Sequence, residues 1–344
     1  MKTISIIGPD DWHLHLRDSP YLEVVAPDSA RQFSRAIIMP NLSPPVRTPQ
    51  QALEYRDRIL AALPAGSSFD PLMTLYLTDN TRVEDIESAS ASEFIHGVKL
   101  YPAGATTNSD AGVTDLALVY PVFEAMQKHQ LVLQIHGEST DAAVDVFDRE
   151  KVFIDEKLRR IRQDFPELKI VFEHITTSDA VDYIKESDQH LAATITPHHL
   201  MINRNALFQG GIRPHHYCLP VAKREQHRLA LVVAACSLQK KFFAGTDSAP
   251  HSRNAKENAC GCAGIYSAYS AVELYAEVFD RYGDFTQFEN FMSCNGPDFY
   301  RLPRNNFSVT LEKQPWQIPQ SLPYPDSELI PFMAGETINW KLQT

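Results

Sequence analysis

The chain lacks any apolar run near the roughly 18 residues that would mark a membrane-spanning helix, so no span is expected. It lacks basic runs of five or more residues, and its net charge is −11, which argues against nucleic acid as a partner. Cysteine is scarce and odd in number, with five residues at positions 218, 236, 260, 262 and 294. That excludes a disulfide framework and fits free thiols in a reducing compartment, so the cytoplasm is the expected location. The N-terminal stretch MKTISIIGPDDWHLHLRD is too polar for a secretory signal. A Gly-rich dinucleotide fingerprint and internal repeats are also missing. What is present is a 344-residue chain with 44% hydrophobic and 22% charged residues, the composition of a soluble globular protein with a sizeable core.

Short apolar runs recur along the sequence at 11–16, 35–40, 72–77, 94–101, 131–137, 169–175, 191–197 and 241–247. They are rich in Val, Ile, Leu and Phe, as strands buried on both faces should be. Helical patterns lie between them, including 48–63 behind a Thr cap and 115–130 despite Pro121. Eight strands alternating with helices predict an α/β fold, a (β/α)8 TIM barrel, over a doubly wound open sheet. Residues 303–344 carry several prolines and little periodicity. They read as an extended tail packed on the barrel, with short strands at most, which makes 1–344 a single domain.

In such a barrel the catalytic face is at the C-terminal ends of the strands. Polar residues at or just past those ends are His13 and His15, Asn41, Lys99, His136, His174 and Asp247. On an extended strand His13, His15 and Arg17 project to one side, and Leu14 and Leu16 to the other. Each residue alone has a bland reading. A lone strand histidine is commonly a hydrogen-bonded core residue, Asp247 suits a turn or helix cap, and Lys99 would reach for solvent. Their convergence from separate strands predicts a site for zinc or a similar divalent ion. An ammonium at position 99, with a reference pKa near 10.4, would repel a dication. A neutral lysine that has taken up carbon dioxide is instead an anionic, bidentate carbamate able to span two ions. His96 lies three positions before Lys99, faces the helices, and is excluded as a ligand.

The motifs DWHLHLRD, MPNLSPPV, KLYPAGATTNS, HGE, FEHITT, LAATITPHHL, RPHHYCLP, GTDSAPH, CGCAG and FMAGET run nearly end to end. On them the chain resembles the dihydroorotases, in their short single-domain class within the amidohydrolase superfamily. The resemblance implies reversible cyclisation of N-carbamoyl-L-aspartate to L-dihydroorotate, the third step of pyrimidine synthesis, in a homodimer. It implies two Zn2+ per subunit. His13, His15 and Asp247 would hold one and His136 and His174 the other, bridged by N6-carboxylated Lys99 and a hydroxide. Asp247 would be the catalytic proton carrier. Arg17, Asn41 and His251 would bind the substrate carboxylate, and the backbones of Leu219 and Ala263 the ring amides. In the loop 102–112, Thr106 and Thr107 match two threonines that reach substrate from a mobile lid. Gly104 stands where one familiar form of the loop has Asn, and an added glycine loosens the chain.

Rivals with the same site, the hydantoinases and allantoinases, are longer and carry a small β-sandwich built from both chain ends. A first barrel strand at residue 11 leaves no room for one. A non-catalytic scaffold would have lost metal ligands. Cys260 and Cys262 have no second pair at zinc-ribbon spacing, and His198, His199, His215 and His216 read as loop or hydrogen-bonding residues.

Overall fold

The computed structural model describes residues 2–343. Strand β1 (Thr3–Ile7) precedes the barrel strands β2 (Asp10–Leu14), β3 (Arg35–Ile38), β4 (Asp70–Tyr76), β5 (Ile95–Leu100), β6 (Val132–Ile135), β7 (Ile170–Phe172), β8 (Leu191–Ile195) and β9 (Phe242–Ala244). Each of the eight runs expected to be strands overlaps one of β2 to β9. These form one parallel sheet in sequence order. The sheet curls until its two edges meet just past the strand ends. There Asp247 N donates to His13 O at 2.8 Å and His15 N donates to Ser248 O at 3.1 Å.

Alternation along the strands sorts the side chains. Ile38, Leu75, Val98, Leu100, Leu133, Ile135 and Phe172 point outward into the apolar layer shared with the helices. Inward-facing Trp12, Ile37, Leu72, Val132, Val171 and Phe243 fill the lower barrel with Tyr300, which stacks on Trp12 at 4.6 Å between ring centroids. The upper interior is polar, and that polar layer is the candidate site.

Strict alternation breaks in β2. The register with β3 shifts between Asp11 and Leu14. Trp12 plugs the barrel floor, while Leu14 and Leu16 pack outward. A bulge here lets Trp12 and the neighbouring His13 both serve the interior.

The helix after β3 (Pro49–Ala62) starts at Thr48, whose side chain accepts from Gln51 N while the Gln51 side chain accepts from the Thr48 N–H. The expected helix at 115–130 divides. A 3-10 turn (Leu116–Val119) leads into an α-helix (Tyr120–His129). Pro121 sits in its first turn, where a missing N–H costs nothing.

The C-terminal expectation needs correction. Strand β10 (Ser308–Gln317) is ten residues long, followed by β11 (Leu322–Tyr324), β12 (Ser327–Leu329) and β13 (Thr337–Gln343). β10 pairs antiparallel with both β1 and β13. The two chain ends therefore do build a small sheet, and the five residues of β1 were room enough for one strand of it. It is three-stranded and single-layered. Alternate residues of β13 (Ile338, Trp340, Leu342) are buried, a half-buried pattern the prolines upstream had masked.

Candidate metal centre and substrate pocket

His13 and His15 converge as their spacing suggests, with Nε2 atoms 3.3 Å apart. Asp247 Oδ1 lies 3.3 Å from His13 Nε2 and 3.1 Å from His15 Nε2. These three ligand atoms lie within 4.8 Å of one another, and all three residues are buried. The outer nitrogens decide the protonation. His13 Nδ1 is 2.8 Å from the Glu173 carboxylate and His15 Nδ1 is 2.8 Å from Asn41 Oδ1. Both partners accept, so each Nδ1 carries the hydrogen and each Nε2 presents a lone pair. Two lone pairs and a carboxylate oxygen face one point, an arrangement that a cation satisfies and that hydrogen bonds among the three cannot.

His136 and His174 adjoin this triangle. Their ring centroids are 4.8 Å apart, and that of His174 is 5.0 Å from His13. His136 Nε2 donates to Glu138 at 2.9 Å, leaving Nδ1 as its lone-pair nitrogen. His174 Nδ1 is buried without a partner. Lys99 is fully buried on β5 and its Nζ also has no hydrogen-bond partner among the described residues. Burial pushes this amine down to about 8, against the pull of Glu173 and Asp247. His96 is half-buried among Asp70, Arg35 and Arg56, away from Lys99.

Three site residues hold positive φ: Arg17 at 62°, His174 at 40° and Asp247 at 45°. L-residues rarely adopt this region, and such strain clusters at functional positions. At His174 the reason is visible. Phe172 faces outward and Glu173 reaches inward to His13, so plain alternation would turn His174 away; the backbone twist returns it to the interior. Arg17 corrects the expectation of three residues on one extended strand. β2 ends at Leu14, and Arg17 reaches the site from a left-handed turn.

The inner chamber is lined by His13, His15, His136, His174, Asp247 and Asn41, with Thr106, Thr107, Leu219 and Ala263 on its rim. It adjoins a vestibule of ≈ 390 Å³ bounded by Arg17, Asn41, Thr107 and His251. Arg17 Nη2 donates to His251 Nε2 at 2.8 Å, and Arg17 Nε to Pro250 O at 3.1 Å. Burial, with the charges of Arg17 and Lys256, drives His251 down to about 2, so it is neutral. The 102–112 loop is docked. Thr107 Oγ1 donates to Ala263 O at 3.3 Å, Asn41 Nδ2 to Thr107 O at 3.2 Å, and Asn108 Nδ2 to Asn41 O at 3.0 Å. Gly104 has φ 76°, a conformation that glycine adopts freely and asparagine tolerates, which accounts for either residue there.

Several residues that position the candidate ligands escaped sequence reasoning. Glu173 and Glu138 hold His13 and His136. Asp11 accepts from His13 N, Thr246 N and Thr246 Oγ1, tying β2 to the turn that carries Asp247. Asn41, already a candidate from the sequence, has the further role of gripping His15 and the loop. The available signal was spacing: Glu138 is two residues past His136, and Glu173 keeps the inward phase of Val171. A second compact group, His198, His199 and Cys218, also lies within 4.8 Å. Both nitrogens of His199 are committed, to Thr196 Oγ1 at 2.9 Å and Pro220 O at 3.0 Å. All five cysteines are free, with Cys260 exposed and Cys262 half-buried.

A model of the amidohydrolase family matches residues 2–326. A dihydroorotase of Cupriavidus necator is 62% identical over 340 residues, covering 99% of both chains. Among solved structures, a dihydroorotase of Campylobacter jejuni superposes with a TM-score of 0.92 at 38% identity, over 100% of this chain and 98% of that one. A Saccharomyces cerevisiae dihydroorotase in complex with 5-fluoroorotic acid has a TM-score of 0.92 at 34% identity, over 100% of this chain and 99% of its own.

Proposed function

The chain belongs to the amidohydrolase family and, within it, to the dihydroorotases, and on that premise we propose how its residues divide the work of opening and closing the dihydroorotate ring. The observation that carries the proposal is the pair of facing lone pairs on His13 and His15 beside Asp247. We assign one zinc to these three residues and a second to His136 and His174. Lys99, as a carbamate, would help to hold both. A buried, partnerless amine beside two cation sites is better neutralised and converted to an anion than left as an ammonium. When bound, the metals supply Lewis acidity: water ionises near pH 7 rather than about 15.7, and a carbonyl in contact is polarised.

The remaining tasks fall to side chains of this chain. Asp247, ionised and at the centre, accepts the proton of the attacking water at a carboxylate oxygen and returns it to the departing ring nitrogen. Cyclisation runs the same transfers in reverse. Arg17 presents a planar fork to the substrate's free carboxylate, with Asn41 and His251 beside it. Thr106 and Thr107 close the chamber over bound substrate and exclude water. The backbones of Leu219 and Ala263 meet the ring amides. A substrate with a free carboxylate is favoured over hydantoin by the vestibule itself, where Arg17 has no carboxylate partner among the described residues.

We also place the enzyme in the cytoplasm as a homodimer. No helix among the described residues is long and apolar enough to cross a membrane. Val233 and Leu238 remain 63% and 70% exposed, apolar surface that a second copy would cover. The assignment of Lys99 is tested by reconstituting metal-free protein with zinc in the absence and presence of bicarbonate. The reading expects two zincs per chain and activity only with bicarbonate. Equal loading and activity without it would reject the carbamate.

A further inference from the structure

Lys256 ends a four-residue helix (Arg253–Lys256) and is 3% exposed. Among the described residues its ammonium meets no carboxylate. Nζ donates instead to three backbone carbonyls: Tyr217 O at 2.8 Å, Cys262 O at 2.9 Å and Gly264 O at 2.5 Å. Burying an unpaired charge is costly, and burial pushes the amine down to about 8. A fold that keeps such a group needs its hydrogen bonds.

The three carbonyls belong to two separate loops, and those loops supply Cys218, Leu219, Ala263 and Gly264 to the inner chamber. Other hydrogen bonds anchor each loop separately: Cys262 N donates to Ala255 O at 3.1 Å, and His199 Nε2 lies 3.0 Å from Pro220 O. Gly264 N donates to Tyr217 O at 3.0 Å, and Thr107 reaches Ala263 O from the opposite side. In a planar trans peptide the C=O and N–H point in opposite directions. Holding the Cys262 carbonyl on Lys256 therefore fixes the direction of the Ala263 N–H. Holding the Gly264 carbonyl fixes the far side of the same residue pair. Held at Tyr217, the other loop brings Leu219 to the chamber two residues later.

We propose that Lys256 is a positioning residue for substrate recognition: its ammonium clamps the 217–219 and 262–264 segments so that their backbone groups meet the ring amides. The proposal rests on the dihydroorotase reading above. It assigns Lys256 no contact with substrate and no part in proton transfer. Its effect belongs to binding, which a general structural role would not single out.

The test compares wild type with Lys256→Met, which keeps the stem and loses every donor, and Lys256→Gln, which keeps amide donors. Zinc-loaded proteins are assayed for L-dihydroorotate hydrolysis, with zinc content and Tm measured alongside. The expected result is a KM about tenfold higher in Lys256→Met, an intermediate KM in Lys256→Gln, and kcat within about threefold of wild type. Zinc content stays the same. A KM unchanged in both variants, with or without a lower Tm, overturns the proposal, as does equal loss of kcat and kcat/KM. Should Lys256→Met fail to fold, the KM of Lys256→Gln decides alone. Wild type inactive toward L-dihydroorotate would instead overturn the underlying reading, and this proposal with it.

Discussion

His13 and His15 illustrate how a hydrogen bond on one side of an imidazole sets the chemistry of the other. Glu173 and Asn41 fix the tautomers, so the facing Nε2 atoms are bases without protons. Replacing Glu173 with Gln keeps the shape, yet the amide can turn its NH2 toward His13 and favour the wrong tautomer. We expect zinc affinity to fall roughly 10- to 100-fold in Glu173→Gln, read by chelator competition; unchanged affinity would show that Glu173 does not orient the ligand. On the proposed roles, Asp247→Ala removes both a ligand atom and the proton carrier, so turnover should vanish. Near-normal turnover would assign the proton to another group. Arg17→Lys keeps the charge but loses the fork. Its KM for L-dihydroorotate should rise about tenfold, the scale of one lost charge-assisted hydrogen bond, with zinc content unaltered. An unchanged KM would remove Arg17 from the carboxylate site.

At the scale of strands and helices, the barrel floor determines where the polar layer can sit. Trp12, Phe243 and Tyr300 close the lower interior, and the helix Asn295–Tyr300 presses Gly296 against Trp12. A Cβ at residue 296 would lie 2.0 Å from Trp12 Nε1. Gly296→Ala should destabilise the fold by about 1–3 kcal/mol, the usual cost of overpacking. Thermal denaturation would show it; an unshifted Tm would mean the helix moves aside freely. The eight strands were legible because each is a short apolar run bounded by polar residues. The residues that converge at the barrel mouth were legible because they close those runs. The bulge in β2 was not, since Trp12, Leu14 and Leu16 all look alike to a period-2 pattern while only the first turns inward. The turn at His174 was equally hidden, because positive φ in a non-glycine residue comes from tertiary packing and leaves no mark on composition.

For the whole molecule, the chain ends matter most. β1 and β13 clasp β10 from either side, joining residues over 300 positions apart. Trp340 lies fully buried beneath this sheet. Trp340→Ala should cost about 3–5 kcal/mol, as for large aromatic deletions in cores, while leaving zinc content intact in the folded fraction. A stability close to wild type would mean the sheet is an ornament to the barrel. The tail read as an extended segment with short strands at most because its strands are separated by proline-rich connections and only one face of each is buried. At the barrel mouth, the proposed zinc site and carboxylate clamp would together select one ring. The direct measurement is hydrolysis of L-dihydroorotate by the zinc-loaded protein, with hydantoin and allantoin assayed in parallel. Rapid turnover of dihydroorotate alone is the predicted result. Turnover of only the other rings would contradict the clamp, and no turnover of any, with zinc fully bound, would contradict the catalytic account itself.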